Sequence, residues 1–582
     1  MTNVTFNTFL SPDICINKLH NMKYIIVGAV AGGASTAARL RRLDEHAEII
    51  IFEKGAYISY ANCGLPYYIG NVITDRNKLF VQTADAFNQR FNIDVRVQTE
   101  VMSVNAEEHT ITAKNLVTGE EYVERYDKLV LSPGAEPIRP PLPGITNEGI
   151  FTLRNVKDTD YIKAYVDKKS VKKAVVIGAG FIGLEMAENL HALGLEVSVI
   201  EMGNQILAPV DFPIAAIVQQ HIRSKGVSLF LNNAVTGFEK SGEKLVVNLK
   251  TGNSLEADVV ILSIGVKPDT KLAVSAGITI GDARGIKVNE YLQTSNPDIY
   301  AVGDAIEFAN PITGQSLVTY LAGPANKQGR ICANNIVLGN VQKYNGSINT
   351  AIVKVFDMTV AAAGMAVKHL KLSNVKHIVS TTHNGAHAGY YPGAGQMTMQ
   401  IAFDPESGQL YSAQIAGYEG VDKRIDLLSS IIKRKSTIYE LIELEHAYAP
   451  PFSSAKDPVN MAGFVAENIM LERLRVFYWN EIDKIKADDV FIDVRRDDEF
   501  QKGNIKGAVN IPVDEIRNRM IEIPKDKNIF IYCEAGLRGY LAQRILLQNG
   551  YASVQNLSGG YKLWKAATEE VANAESTQMA SA

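Results

Sequence analysis

Two cysteines stand in settings that favour sulfur chemistry. Cys63 lies in Ser59-Tyr-Ala-Asn-Cys-Gly-Leu-Pro-Tyr-Tyr68, a small-residue stretch soon after a glycine-rich turn. No second cysteine is near it, which excludes an internal Cys-x-x-x-x-Cys disulfide. Cys63 therefore reads as a redox thiol whose disulfide partner arrives as substrate. A structural thiol is the ordinary reading of an isolated cysteine, and the rest of the chain must overturn it. Nucleophilic use would also require a depressed thiol pKa. Cys533 ends the apolar run Asn528-Ile-Phe-Ile-Tyr-Cys533 and opens Glu534-Ala-Gly-Leu-Arg538, ahead of a helix. Loop amides at a helix start and the nearby Arg538 lower such a thiol's pKa and can hold a sulfur anion. The other two cysteines are Cys332, read as a core thiol, and Cys15, read as incidental. The four are too widely spaced for a metal site.

The elements around Cys63 supply an electron source. Tyr24–Val27 is a short apolar strand, followed by Gly28-Ala-Val-Ala-Gly32-Gly33, a helix over 34–43 and a strand ending at Glu53. Strand, glycine turn, helix, strand and terminal acid is the dinucleotide-binding order, here with Val30 in place of the middle glycine. A second copy is complete: Lys173–Ile177, Gly178-Ala-Gly180-Phe-Ile-Gly183-Leu-Glu185, then Glu196–Glu201. Glu201 suits a free ribose 2′-hydroxyl and no arginine follows closely, so NADH is expected over NADPH. Two such sites imply two cofactors with electron transfer between them. On the first helix, Arg39, Arg41 and Arg42 read by default as solvated charge. Arg39 and Arg42 nevertheless share a face and could grip the phosphates of an anionic substrate.

At 582 residues the chain accommodates about three or four domains. A hydrophobic fraction of 46% with 21% charged residues is ordinary for a globular protein. A net charge of −4 gives no reason to expect nucleic acid or a membrane surface as partner. Cysteine usage points to a reducing, cytoplasmic setting, and no apolar run reaches the ~18 residues of a membrane span. Residues 1–21 are polar and unlike a signal peptide; a disordered leader before a natural start at Met22 is expected.

Further motifs carry a resemblance. Thr294-Ser-Asn-Pro-Asp-Ile-Tyr-Ala-Val-Gly303-Asp304-Ala305 resembles the second flavin motif of two-dinucleotide flavoproteins. Leu129–Gly134 and Val259–Gly265 resemble their strand–glycine crossings between domains. With Ser-Tyr-Ala-Asn-Cys-Gly-Leu-Pro-Tyr and Ala447-Tyr-Ala-Pro-Pro-Phe-Ser453, the chain resembles the single-cysteine branch of the pyridine nucleotide–disulfide oxidoreductases. It is most similar there to coenzyme A-disulfide reductases and to NADH-dependent persulfide or polysulfide reductases fused to a rhodanese domain.

The resemblance implies an α/β architecture of two interleaved Rossmann-like domains, an α+β dimerisation domain and a rhodanese-like α/β domain. FAD would be held by Gly28, Gly32, Gly33, Glu53, Lys54, Asp304 and Ala305, and NADH by Gly178, Gly180, Gly183 and Glu201, with Gly134 and Gly265 at the crossings. Cys63 would be the nucleophile beside the flavin. Ser59 and Asn62 would meet the pantetheine of CoA, with Ser35, Arg39, Arg42 and Asn326 along the CoA path. CoA would be substrate or a bound mixed disulfide. Tyr448 and Tyr390 would reach the partner subunit's active site in a homodimer, Tyr391 being an alternative register for the latter. Ala31 stands where related peroxidases and oxidases carry a histidine, which argues against peroxide or dioxygen as main substrate.

At the C-terminus the resemblance makes Cys533 a sulfur carrier assisted by Arg538. Four residues separate the two, where the phosphatases of similar fold have five, so the loop suits sulfur. The expected layout is FAD-binding over 22–150 and 276–340, NAD-binding over 151–275, and dimerisation over 341–452. A linker over 453–474, polar and proline-containing at first and helical from Asn460, rhodanese over 475–567 and a disordered tail over 568–582 follow. The rival readings are an NADH oxidase or peroxidase, and a non-enzymatic sulfur carrier or redox sensor.

Overall fold

Lys23-Tyr-Ile-Ile-Val27 is apolar and β-branched in its interior, and its last four residues are buried, as a central parallel strand requires. In the computed structural model, which describes residues 22–168 and 170–579, it pairs in parallel with Glu48–Phe52 and Lys128–Leu131. The expected leader, Cys15 included, lies outside the described residues. Asp94–Arg96 and Ile299–Ala301 complete this five-stranded sheet at its two edges. Its outer strand at 299–301 thus comes from chain that has already passed through another unit.

That unit is a second parallel sheet of five strands centred on Lys173–Ile177, flanked by Glu196–Ile200 and Val259–Leu262. Ala135–Pro137 and Val266–Pro268 pair antiparallel where the chain crosses between the two units. Gly134 and Gly265 take φ of +74° and +106° at these crossings, a region that glycine enters without steric cost.

The third unit is an antiparallel five-stranded sheet, in the order 351–355, 358–364, 410–417, 396–403, 378–385. The helix Val421–Lys433 buries Ile425, Leu428 and Ile432 among Met399, Ile401 and Ile415 of its strands. The segment expected as a linker belongs to this core. Residues Pro458–Met470 form a helix started by the Asp457 side chain, and Val459, Ala462 and Ala466 are buried in the same cluster. Its small apolar residues recur every three or four positions, which makes a packing face rather than a spacer.

A fourth, parallel sheet runs in the order 476–477, 554–557, 529–532, 490–493, 509–510. The tail expected to be disordered from 568 is instead the continuation of a helix, Gly560–Met579. It lies against the second unit's helix Phe212–Ser224, burying Ala567, Glu570 and Ala574. The Gln219 amide donates to Glu570 Oε2 at 2.8 Å, and Arg223 Nε pairs with Glu570 Oε1 at 3.3 Å. An alanine- and glutamate-rich stretch is marginal alone but is stable once a neighbour covers its apolar face. None of the helices among the described residues is long and apolar enough to cross a membrane.

Candidate active site

The two glycine turns share one geometry. Gly28 and Gly178 both have φ of +97°. A Cβ on Gly33 would lie 1.9 Å from the Gly28 carbonyl oxygen, and one on Gly183 2.0 Å from that of Gly178. Only glycine lets each helix start this close to its strand. Gly180 faces open space, with no atom within 4 Å of a Cβ built there, and Val30 occupies the matching place in the first turn. Gly32 abuts Val302, whose Cγ2 would be 2.9 Å from an added Cβ.

Both terminal acids fold back on their turns in the same way. Glu53 accepts from the Ala29 N–H at 3.0 Å and the Gly55 N–H at 2.7 Å. Glu201 accepts from the Ala179 N–H at 2.9 Å and the Gly203 N–H at 2.8 Å. Lys54 Nζ donates to Glu136 at 3.1 Å. Asp304 sits beside buried Ala305 in the turn Gly303–Ala305, whose first N–H donates to Gln328 at 2.7 Å. Its carboxylate has no hydrogen-bond partner among the described residues. Burial pushes its pKa up to about 6, against the pull of Arg154.

The loop that carries Cys63 is tied to the first turn at Ser59. The Ser59 N–H donates to Ala29 O at 2.8 Å, and Ser59 takes φ of +43°, unusual for a residue with a Cβ. Cys63 then lies in the turn Asn62–Gly64 before the short helix Leu65–Ile69; Asn62 and the free thiol are exposed to the cleft. Burial of the sulfur within that cleft raises its pKa, and the charges of Glu185 and Asp304 raise it further. The depressed pKa expected for a nucleophile is therefore not supplied by the side chains of this chain. Glu185, on the helix Phe181–Ala192 of the second unit, is pushed up to about 7 by burial, opposed by a hydrogen bond from Tyr67 at 3.4 Å. Neither Glu185 nor Tyr67 was singled out from sequence; the one hint was an acid two residues past Gly183.

The helix Ala31–Leu43, which opens with Ala31, runs along Ala322–Leu338, in contact at Gly329, where a Cβ would stand 2.6 Å from Gly32 O. Ser35 Oγ donates to Asn326 at 2.5 Å, and Arg39 Nε donates to Asn334 at 2.9 Å. Slight burial and the charges of Arg330 and Arg42 lower the pKa of Arg39, the mark of a cation cluster. Arg330 escaped the sequence reading because it comes from a helix remote in the chain. Arg41 points elsewhere: it is buried, donating to Phe91 O and Asn92 O at 2.8 Å each.

On the third unit, the hydroxyls of Tyr390 and Tyr448 lie 2.7 Å apart, with the side chains 76% and 47% exposed. Tyr391 turns away to pack edge-on against His387, which favours Tyr390 as the partner of Tyr448. No hydrogen bond joins either tyrosine to Cys63 of the same chain among the described residues.

Cys533 is buried at the end of the strand Ile529–Tyr532, and the Gly536 N–H donates to its sulfur at 3.1 Å. Gly536, at φ of +113°, caps the helix Leu537–Gln548. Arg538 is engaged by Glu499 through two bonds of 2.6 and 2.7 Å, and Glu534 by Arg495 at 3.2 Å. These pairs brace both ends of the loop and leave the Gly536 amide as the donor on sulfur. Cys332 is fully buried in the core, and that burial raises its pKa strongly.

Residues 22–329 match the family model described as pyridine nucleotide-disulphide oxidoreductase. The chain belongs to that family. Residues 350–458 match the family's dimerisation domain and residues 478–567 a rhodanese-like domain. The coenzyme A disulfide reductase of Staphylococcus haemolyticus (strain JCSC1435) is 37% identical over 447 residues, spanning 77% of this chain and all of the relative. Among solved structures, reduced Bacillus anthracis CoADR-RHD is similar at a TM-score of 0.92 and 49% identity, covering 94% of this chain and 98% of its own. The NAD-dependent persulfide reductase from A. fulgidus is similar at 0.87 and 36%, covering 93% and 100%.

As a pyridine nucleotide-disulphide oxidoreductase, the chain takes FAD and NAD(H). The residues present fit them. The unpartnered Asp304 carboxylate suits the hydroxyls of a flavin ribityl chain, and the open space at Gly180 suits a pyrophosphate against backbone. Glu53 and Glu201, already oriented by two amides each, would present acceptors to ribose hydroxyls.

Proposed function

We propose that this chain reduces CoA disulfide, CoA persulfide or polysulfide through Cys63, working as a homodimer in a reducing cytoplasm, with Cys533 carrying sulfane sulfur. The observation that carries this reading is one free thiol beside Glu185 and Asp304, on a loop tied to the first glycine turn, with no second cysteine among the described residues to close a disulfide within the site. Its disulfide partner must then come from outside. The cation cluster of Arg39, Arg42 and Arg330, near Ser35 and Asn326, supports a substrate with phosphates at one end and sulfur at the other. The names of the similar proteins, a CoA disulfide reductase and a persulfide reductase, support the same substrate class.

The Cys63 thiolate attacks one sulfur of CoA disulfide; the S–S bond breaks, a Cys63–CoA disulfide forms, and CoA thiolate leaves. Attack on the CoA-bound sulfur of CoA persulfide forms the same mixed disulfide and expels hydrosulfide. NADH and FAD, when bound, supply the two electrons that reduce it. Tyr390 and Tyr448 of the partner subunit hold or donate the proton needed by the departing thiolate, and Ser59 and Asn62 orient the pantetheine arm. The Ser59 N–H bond to Ala29 O ties the start of the Cys63 loop to the first glycine turn.

Separate Cys63→Ser and Cys533→Ser variants test this. Cys63→Ser is expected to lose at least about 10³-fold in NADH-dependent turnover of CoA disulfide and persulfide alike, while NADH still bleaches the flavin. Cys533→Ser is expected to spare CoA disulfide reduction and to impair only reactions that draw on the sulfur carrier. Full activity of Cys63→Ser would sink the reading.

A further inference from the structure

Two tyrosines that meet at a hydroxyl–hydroxyl contact come from loops 58 residues apart, and neither loop is held by a strand ladder at that point. Both loops converge on one buried ion pair. Arg424, on the helix Val421–Lys433, and Asp457, capping the helix Pro458–Met470, have fully buried side chains 2.8 Å apart. The guanidinium Nη2 also donates to Ala386 O at 2.8 Å, at the base of the Tyr390 loop. The same carboxylate accepts from Ser453 Oγ at 2.6 Å, at the end of the Tyr448 loop. The circuit closes where the Ala388 N–H, two residues before Tyr390, donates to Ser453 O at 3.0 Å. We propose that Arg424, Asp457 and Ser453 are positioning residues that set the Tyr390–Tyr448 pair for work on the thiol substrate.

A buried pair is an expensive way to stabilise a core, since apolar residues of similar size often do as well. What a charge pair adds is direction: each partner has several lone pairs or N–H groups with fixed geometry. Here the bonds left over from the pair itself reach the two loops and the helix cap. The inference rests on the proposed role of the tyrosines, so the test must separate the two.

The test uses the full-length, FAD-loaded dimer with NADH and CoA disulfide. Tyr448→Phe alone examines the tyrosine reading: unchanged turnover would end it. Ser453→Ala removes one tether and leaves the ion pair intact. It is expected to lower kcat about tenfold, with little change in KM for NADH and none in the rate of flavin bleaching by NADH. In the Tyr448→Phe background the same substitution should cost no more than about twofold further, because the residue it serves is gone. Asp457→Asn, of equal shape, should repeat the pattern if Ser453→Ala does not fold. The proposal is overturned if Ser453→Ala and Asp457→Asn leave kcat intact, if their effects multiply with Tyr448→Phe, or if flavin bleaching slows in step with turnover.

Discussion

Cys63 is a thiol among carboxylates, and that is an unusual place to put a nucleophile. Burial, Glu185 and Asp304 all raise its pKa, so the neutral thiol is the form that the chain's own side chains favour. In the proposed mechanism the thiolate would gain its stability from what completes the site, the bound flavin and the partner's tyrosines. Because Glu185 itself loses its proton near pH 7, its effect on Cys63 grows as pH rises through that point. Glu185→Gln removes a nearby negative charge and should therefore lower the Cys63 pKa. Iodoacetamide alkylation of Cys63 should become severalfold faster at pH 8, with a smaller gain at pH 6, where Glu185 is already mostly neutral. An alkylation profile identical to that of the parent would show that Glu185 does not act on the thiol.

At the scale of elements, the two glycine-turn units are built alike and can be broken separately. A Cβ at Gly33 or Gly183 would sit about 1 Å inside the closest separation real side chains tolerate, against backbone that cannot swing aside. Each alanine substitution should cost about 1–3 kcal/mol of local stability or more. The consequences should differ by unit. Gly33→Ala should purify with little bound FAD and a lowered Tm. Gly183→Ala should stay yellow but show a raised KM for NADH. Flavin absorbance per chain and steady-state kinetics distinguish them, and flavin loss from Gly183→Ala alone would contradict the assignment of the two sites.

For the whole molecule, the rhodanese-like unit is docked onto two others. Its C-terminal helix meets the second unit at Gln219 and Arg223, and Trp479 stacks on Phe212 with centroids 5.6 Å apart. On the third unit, His383 Nε2 bonds Gly559 O at 3.0 Å and the Tyr478 hydroxyl donates to Val379 O at 3.2 Å. Burial, helped by the charge of Lys562, pushes the His383 pKa down to about 4 despite the bond to Gly559. A histidine released into water takes its proton near 6.5. Docking therefore carries its full strength above about pH 6.5 and weakens as pH falls from there toward 4, because only the undocked form binds the proton readily. Proteolysis between residues 471 and 478 should quicken over that range. His383→Gln should flatten the dependence; an unchanged slope would remove His383 as its source.

Chemistry that depends on neighbours in sequence was legible from the residues alone. Both glycine turns, with Glu53 and Glu201 at the next strand ends, follow from backbone constraints acting within about 30 residues. The lack of a second cysteine near Cys63 in sequence is likewise legible, and together with the two dinucleotide turns it points to an external disulfide partner. Composition misled where a partner surface mattered. The alanine-rich C-terminus reads as loose, yet it forms a helix because the second unit covers its apolar face. The segment after Ser453, expected as a linker with a helix from Asn460, packs that helix into the core of the third unit. The electrostatics of Cys63 were out of reach for the same reason: Glu185 and Asp304 lie more than a hundred residues away along the chain and act only through space. Sequence by itself determined which groups this protein has for moving electrons and sulfur. The tertiary structure decided which charges face them and which buried pair steadies the tyrosines, since both depend on packing between distant segments.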